Sequence, residues 1–272
     1  MNDLYQINNF SLYQWLVFLV LLALLSQKAK FLSRSGLIAA FSVGSIIIAT
    51  GEKWLFPLIL FFVLSSILTR ISAFYKKTEK SERSPRTARQ VLANGAVAAL
   101  SAAGYMLFPI PALMILFLGS LAAATSDTWS TEIGAFSGAQ PRMLTNFKKV
   151  RKGTSGGITF IGSIGGIVGS AALAVSGLII FDGESLTHYL DSGIRPVFIG
   201  GITGNLFDSF LGATLQSKNR CAVCDSVTEE NLHCGQPTLH STGLRLLNND
   251  SVNFLCSLAG GLSAVIFWLL SG

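Results

Sequence analysis

Two aspartates lie in apolar stretches of this sequence, where an ionised side chain is costly. Asp127 follows the apolar run 109–126, and Asp208 lies inside the apolar run 196–215. An aspartate at the centre of a membrane-spanning helix costs about 2.5–3.5 kcal/mol on insertion scales. Because carboxylates kept in such places serve ion binding, proton transfer or metal-assisted chemistry, both residues are candidates for a functional site.

The two aspartates share a local pattern of aspartate, hydroxyl residue and aromatic residue. It spans Asp127 to Trp129 at the first position and Asp208 to Phe210 at the second. A weak internal repeat would explain this match and would place two acidic groups across one pocket. Convergence is the alternative, because three matching positions make a short pattern.

Two further carboxylates, Glu132 and Asp250, lie close to the same apolar runs. Carboxylate oxygens are ligands for Mg²⁺, which usually takes one or two carboxylates together with substrate phosphates. Glu132 could be a ligand or a base, but a continuous helix would turn it about 140° away from Asp127. The two would share a face only if the helix ended near Trp129. For Asp250 the alternative is a helix cap, since Asn-Asp before an apolar run is typical of an N-cap.

The segment 148–157 joins cations to a glycine-rich helix start. Backbone N–H groups at a helix N-terminus, with nearby lysine and arginine, favour phosphate binding. The spacing is not that of a Walker motif, and a plain helix cap with glycine packing remains the alternative. The candidate phosphate-binding residues are Lys152, Gly153, Thr154, Ser155, Gly156 and Gly157.

The polar segment 216–251 carries a cysteine and histidine pattern. Cys221 and Cys224 have the Cys-x2-Cys spacing of structural zinc sites. Adjacent His233 and Cys234 are not expected to face one ion together, so Cys234 and His240 complete the predicted Zn²⁺ set. Free thiols and a redox or disulfide pair stay open as alternatives.

These residues must be positioned by membrane helices. The chain is 50% apolar and 12% charged, and its mean hydropathy is +0.55, against roughly 25% charged residues in soluble domains. We therefore predict an all-α, polytopic membrane protein forming one domain over 1–272, with the Cys/His loop within it. Eight stretches approach or exceed the roughly 17 residues needed to span a bilayer, and they cover 10–26, 36–51, 54–73, 91–108, 109–126, 157–181, 196–215 and 252–270.

Basic residues orient this eight-helix arrangement. Seventeen of the 20 lysines and arginines lie in the four loops after the first, third, fifth and seventh spans, whereas the opposite loops hold only Lys53 and Arg195. The positive-inside rule places the basic loops in the cytoplasm and both termini outside. The net charge of +6 is then explained by loops that meet anionic lipid headgroups. No nucleic-acid partner is required, and no oligomeric state is predicted.

Polar residues gather at the basic ends of these helices. Six of the eight spans contribute, which predicts one site at the cytoplasmic interface. Besides the carboxylates and the glycine-rich segment, the candidates that would bind substrate through hydrogen bonds are Asn94, Ser209, Asn249 and Asn253.

Several of these motifs, in this order, resemble the integral-membrane family that includes the plastid phytyl-phosphate kinase and related polyprenyl-phosphate kinases. The matching stretches run from about 65 to 253, most of the chain. The most specific are Asp127-Thr128-Trp129 followed by Glu132-Ile133-Gly134, and Gly153-Thr154-Ser155-Gly156-Gly157. The others are 65–69, 90–95, 208–216 and 249–253.

The resemblance implies phosphorylation of an isoprenoid monophosphate to its diphosphate by a nucleoside triphosphate, with CTP favoured, and Mg²⁺. In this interpretation Asp127 and Asp208 hold Mg²⁺, with Asp250 or Glu132 as a further ligand. Lys152, Thr154 and Ser155 would bind phosphate, while Asn94 and Asn253 orient groups by hydrogen bonds.

Three other functions fit parts of the pattern. Intramembrane carboxylates and glycine-broken helices also occur in lipid or ion transporters, although transport sites favour the bilayer midplane. A CTP-dependent lipid-phosphate cytidylyltransferase would use the same ligands but break a different bond. A non-catalytic scaffold would leave Asp208 unexplained.

Overall fold

The computed structural model describes residues 9–75, 84–181 and 183–271. The predictions for the N-terminal residues 1–8 and for Lys76, Lys77, Lys80 and Arg83 fall outside this part of the chain. Within it, long helices dominate and short strands occur in the polar loops. The helices are α1 (Asn9–Lys28), α2 (Arg34–Thr50), α3 (Glu52–Tyr75), α4 (Ala88–Leu107), α5 (Pro111–Gly134), α6 (Phe160–Ser176), the short α7 (Gly183–His188), α8 (Ile194–Thr214) and α9 (Asn249–Ser271).

Each of the eight predicted spans overlaps one long helix, so the all-α, polytopic membrane fold is confirmed. Among the described residues, α3, α4, α5, α9 and the segment Phe160–Ile179 are long and apolar enough to cross a membrane. Shorter apolar helices cover Tyr13–Lys28 and Arg34–Thr50. Helix α8, which carries Asp208, is not among these helices, so the count of eight spans remains a prediction.

Helix α5 lies at the centre of the bundle. Its residues from Phe117 to Ser126 are all buried, because α6, α8 and α9 all pack against it. Small residues make these contacts close: a Cβ atom on Gly119 would lie 2.6 Å from the Cβ of Ala264, and one on Gly200 would lie 2.5 Å from the Gly260 carbonyl oxygen. Stripes of small residues are the usual means by which membrane helices approach closely.

Helices α3, α5 and α8 run parallel. The indole of Trp129 donates to Ser65 Oγ at 3.2 Å, and further along both helices Thr69 Oγ1 donates to Glu132 at 3.0 Å. On the other side of α5, Gly201 approaches Ala122 and Gly204 approaches Ala123. The carboxyl-terminal ends of these three helices therefore lie at one end of the bundle, which agrees with the predicted alternation.

The loops at this end contain the short strands. Strands β1 (Arg142–Met143) and β2 (Gly157–Ile158) pair between α5 and α6. Between α8 and α9, β3 (Lys218–Arg220) pairs with β4 (Val227–Thr228) and with β7 (Leu239–Thr242). Strands β5 (Leu232–His233) and β6 (Gln236–Pro237) form a separate hairpin.

Candidate functional site at the ends of helices α5 and α8

Asp127 and Asp208 face each other from parallel helices. A Cβ atom on Gly204 would lie 2.5 Å from the Cβ of Ala123, and each aspartate follows its contact residue by one helical turn on the same face. The two carboxylates are electrostatic neighbours, and the thiol of Cys256 on α9 lies near both. The predicted juxtaposition of the two aspartates is therefore present in the fold.

The Asp208 carboxylate has an unsatisfied oxygen. Its Oδ2 atom is buried and has no hydrogen-bond donor among the described residues. A buried carboxylate oxygen without a donor is costly unless a cation or a ligand group meets it. Because a second carboxylate lies beside it, this oxygen is a suitable ligand for a divalent cation that prefers oxygen ligands, such as Mg²⁺.

Glu132 faces helix α3 and its carboxylate is occupied there. Helix α5 continues beyond Trp129 to Gly134, so the condition for Glu132 to share a face with Asp127 is not met. Its carboxylate accepts hydrogen bonds from Thr69 Oγ1 at 3.0 Å and from Ser72 Oγ. Glu132 is still close enough to interact electrostatically with Asp127, but its contacts are those of an anchor between α3 and α5.

Asn205 is a residue of this region that the sequence prediction missed. Its Oδ1 atom accepts a hydrogen bond from Ser130 Oγ at 3.2 Å, which links α8 to α5. A Cβ atom on Gly166 of α6 would lie 2.6 Å from Asn205 Nδ2, so three helices meet at this amide. The signal for it was its position three residues before Asp208, which places the two on neighbouring parts of one helix face.

The glycine-rich segment packs directly on the end of α8. Gly156 has a φ of +78°, and a Cβ atom there would lie 2.4 Å from the backbone nitrogen of Ala213. The amide of Leu144 donates to the Gly156 carbonyl at 2.9 Å. The segment thus lies one turn beyond Asp208. Thr159, rather than any of the five predicted residues 153–157, caps α6, because its hydroxyl accepts from the Gly162 amide.

Lys152 and Ser155 have defined partners in this segment. Lys152 Nζ donates to the Ser137 carbonyl at 2.7 Å, which closes the α5–α6 loop. Ser155 Oγ donates to the carboxylate of Glu229, a residue of the Cys/His loop. Glu229 is also an electrostatic neighbour of Asp208. The sequence prediction missed Glu229, because nothing local marks a glutamate in a polar loop as a partner of residue 155.

The Glu229 carboxylate is partly desolvated although its residue keeps solvent exposure. Burial of the carboxylate raises the pKa of Glu229, while the ammonium of nearby Lys218 acts in the opposite direction. A third acidic group therefore extends the Asp127–Asp208 pair toward the loop.

The first residues of α9 contribute less to this site than those of α5 and α8. Asn248 caps the helix, since its Oδ1 accepts from the Ser251 amide at 3.0 Å, so Asp250 is not the capping residue. Asp250 lies near Arg89 of α4. Asn253 is half-buried and precedes Cys256 by three residues, which places it on the stripe that faces α5 and α8. Asn249 is exposed at the start of the helix.

Two other predicted residues lie at the edges of this region. Ser209 is half-buried next to Asp208. Asn94 donates from Nδ2 to the Gln90 carbonyl at 3.0 Å and lines an apolar pocket between α1, α2, α3 and α4. This pocket is partly open and holds an empty volume of ≈ 740 Å³, and Arg86 and Gln90 are among its few polar lining residues. None of the described residues of α8, the helix that carries Asp208, lines this pocket.

The Cys/His loop brings four ligands together, but not the predicted four. Ligand atoms of Cys221, Cys224, His233 and Cys234 all lie within 4.8 Å of one another. The expectation that adjacent His233 and Cys234 cannot face one point is wrong, because Cys234 has a φ of +52° and the chain reverses there. His240 instead lies in strand β7, paired with Asn219. All cysteines are free in the structure.

Taken together, the end of the bundle offers paired carboxylates beside a glycine-rich loop with hydroxyl and lysine side chains. Such a set can bind a divalent cation and the phosphate groups that the cation bridges. The geometry does not include a nucleophilic serine with a histidine partner among these residues.

Comparison with known proteins identifies the relatives of the chain. A family model described as integral membrane protein DUF92 matches residues 17–261. An uncharacterized membrane protein of Methanocaldococcus jannaschii is 30% identical over 254 residues, covering 93% of this chain and 92% of that protein. No solved structure matches the chain significantly.

Two plant proteins are also similar. Protein PGR of Arabidopsis thaliana is 31% identical over 258 residues, covering 86% of this chain and 88% of that protein. The chloroplastic protein VTE6 of the same plant is 28% identical over 252 residues, with 86% and 65% covered. The apolar helices and these matches agree that the chain is an integral membrane protein.

Proposed function

The chain belongs to the DUF92 family of integral membrane proteins, and on that premise we propose that it is a membrane-embedded phosphotransferase. Its substrates are an isoprenoid monophosphate and a nucleoside triphosphate, with CTP favoured, and its product is the isoprenoid diphosphate. The site lies at the cytoplasmic end of the bundle. The acceptor is taken from the resemblance stated above to the family that includes the plastid phytyl-phosphate kinase.

The observation that carries this proposal is the buried Asp127–Asp208 pair next to the glycine-rich segment. Asp208 keeps one buried oxygen without a donor among the described residues, which supports cation binding. The segment 153–157 packs about one turn further along α8, so its backbone could bind phosphate groups close to the aspartate pair. Transport sites tend to lie at the bilayer midplane, whereas this pair lies toward one end of its helices.

The reaction needs positioning and charge neutralisation more than acid–base chemistry. A terminal oxygen of the isoprenoid phosphate attacks the γ-phosphorus, a new P–O bond forms, and the bond from the γ-phosphorus to the β–γ bridging oxygen breaks. Nucleoside diphosphate leaves. A phosphate monoester has a second pKa of about 6, so the acceptor is mostly ionised at neutral pH and no strong base is required.

Different residues of the chain carry out metal binding, phosphate binding and positioning. Asp127 and Asp208 would hold Mg²⁺, which would supply positive charge to neutralise the phosphate groups during transfer. The backbone of 153–157, with the Thr154 hydroxyl and the ammonium of Lys152, binds phosphate. Asn253 orients these groups from α9, while Glu132 fixes the end of α5 against α3.

An apolar tail needs a separate place from the nucleotide. The pocket described above, between α1, α2, α3 and α4, is lined mainly by leucine, phenylalanine and valine. Arg86, Gln90 and Asn94 are among its lining residues. A chain of isoprene units would bury apolar surface there at about 25 cal/mol per Å². We assign the isoprenoid tail to this pocket.

Isotope labelling tests the proposal directly. The purified protein is incubated in detergent or nanodiscs with Mg²⁺ and phytyl, farnesyl or geranylgeranyl monophosphate, using CTP labelled at either the α- or the γ-phosphate, and ATP, GTP or UTP labelled at the γ-phosphate. We expect γ-label in the lipid diphosphate. Transfer of α-label from CTP would instead identify a cytidylyltransferase. No turnover over the whole panel, with lipid or ion flux in liposomes, would overturn the kinase in favour of a transporter.

A further inference from the structure

Two backbone hydrogen bonds join the two ends of the Cys/His loop where it leaves α8 and approaches α9. The amide of Leu244 donates to the Leu215 carbonyl at 2.9 Å, and the amide of Ser217 donates to the Leu247 carbonyl at 2.8 Å. Between these contacts the chain has only short strands and little apolar burial. A segment of this kind needs a further constraint to hold one conformation.

Two tight turns in the loop present ligands to a common point. In the first, the Asp225 amide donates to the Cys221 carbonyl at 3.0 Å, and the Val223 amide points at Cys221 Sγ at 3.4 Å. In the second, Cys234 and Gly235 both have positive φ, 52° and 74°, as in a two-residue hairpin turn. This second turn joins β5 to β6 and directs His233 and Cys234 the same way.

The ligand distances suit a tetrahedral ion. Zn–S bonds of about 2.3 Å and Zn–N bonds of about 2.0–2.1 Å require ligand atoms about 3.5–3.8 Å apart. His233 Nδ1 lies 3.4 Å from Cys224 Sγ and 3.3 Å from Cys234 Sγ. Three thiols and one imidazole form a closed set that leaves no position for a substrate, as in structural zinc sites.

We propose that Cys221, Cys224, His233 and Cys234 bind a structural Zn²⁺ that holds the segment carrying Glu229 against Ser155. Glu229 lies between the two pairs of ligands, so an ion that ties Cys224 to His233 restrains both ends of its segment. Soft thiolate ligands select zinc over Mg²⁺, so this site is chemically distinct from the Asp127–Asp208 pair. The zinc site does not depend on the proposed phosphotransferase activity.

Metal analysis of the purified full-length protein tests the zinc site. After expression with added zinc and washing with a weak chelator, we expect about one zinc per chain. The variants Cys224→Ser and His233→Ala should fall to about a tenth of that content or less. The matched control His240→Ala changes a histidine of the same loop outside the cluster and should retain the ion.

A second measurement covers variants that fold poorly. In the wild-type protein, a strong chelator should release zinc, expose cysteine thiols to a thiol reagent, and speed proteolysis within 216–248. Zinc-free protein whose thiols and proteolysis rate are unchanged by added zinc would overturn the proposal. So would a disulfide between loop cysteines, another metal in place of zinc, or zinc loss in His240→Ala with retention in His233→Ala.

Discussion

Gly204 of α8 lies against Ala123 of α5, and no side chain would fit between them. A Cβ atom on Gly204 would be 2.5 Å from the Cβ of Ala123 and 2.8 Å from the Cys256 carbonyl oxygen. One turn beyond this contact, the same two helix faces carry Asp208 and Asp127. The separation of the aspartates is therefore set by a glycine that has no chemistry of its own.

Gly204→Ala should reduce turnover although it leaves every candidate ligand in place. The added methyl must push α5 or α9 away from α8, and such overpacking costs about 1–3 kcal/mol. We expect a lower melting temperature and a weaker response of activity to Mg²⁺. Gly138→Ala is the control, because a Cβ atom there meets nothing within 4 Å. Wild-type activity in Gly204→Ala would contradict the role of this contact.

Asp127→Asn and Asp208→Asn should each lower kcat by about 10²-fold or more, as loss of one preorganised electrostatic group does. Metal binding also predicts that Mg²⁺ stabilises the wild-type protein, by about 2.7 kcal/mol at a concentration 100 times its Kd. The melting temperature of either variant should not respond to Mg²⁺. Glu52→Gln, at the opposite end of the bundle, should behave as wild type. A Mg²⁺-dependent shift retained in Asp208→Asn would remove that residue from the metal site.

Gly156→Ala should impair phosphate binding more than Gly153→Ala. Both glycines have positive φ, +78° and +81°, so both changes carry a conformational cost of about 1–3 kcal/mol. Only at Gly156 would the new Cβ atom strike the end of α8, since nothing lies within 4 Å of Gly153. We expect a higher KM for the nucleotide in Gly156→Ala alone. Equal effects of the two changes would show that backbone strain, not the α8 contact, matters.

Ser72→Ala and Thr69→Val should destabilise the protein while sparing the chemistry. Each removes a hydrogen bond to the buried Glu132 carboxylate, and hydrogen bonds to charged groups contribute about 1.5–3 kcal/mol. Melting in detergent measures the loss, and turnover per folded molecule should stay within several-fold of wild type. Ser42→Ala is the control, because that hydroxyl donates only to the Ile38 carbonyl of its own helix. A large loss of kcat without destabilisation would assign Glu132 to the reaction.

Ala40→Trp should fill the pocket between α1 and α4. If the isoprenoid tail binds there, the KM for the isoprenoid monophosphate rises by about tenfold or more, which corresponds to about 1.4 kcal/mol, while the KM for the nucleotide is unchanged. Leu100→Trp places the same ring on a side chain that is 69% exposed and should have no such effect. An unchanged lipid KM in Ala40→Trp would move the tail elsewhere.

Much of the architecture was readable from the chain because it depends on local composition. Long apolar runs predict the helices, Pro109 and Pro111 separate α4 from α5, and the cost of a carboxylate in lipid marks Asp127 and Asp208. Basic loops on alternate connections place the ends of α3, α5 and α8 together. Each of these signals is carried by neighbouring residues and needs no knowledge of distant contacts.

The partners of the site residues were decided only by the tertiary structure. Ser155 and Glu229 are 74 residues apart, and Glu132 meets Ser72 across 60; no local pattern encodes such contacts, because they arise from the packing of whole helices. His233 replaces His240 in the cysteine cluster because Cys234 and Gly235, both with positive φ, reverse the chain. The sequence by itself thus determined which residues are costly enough to be functional, while the packing of α5, α6, α8 and α9 decided which of them meet.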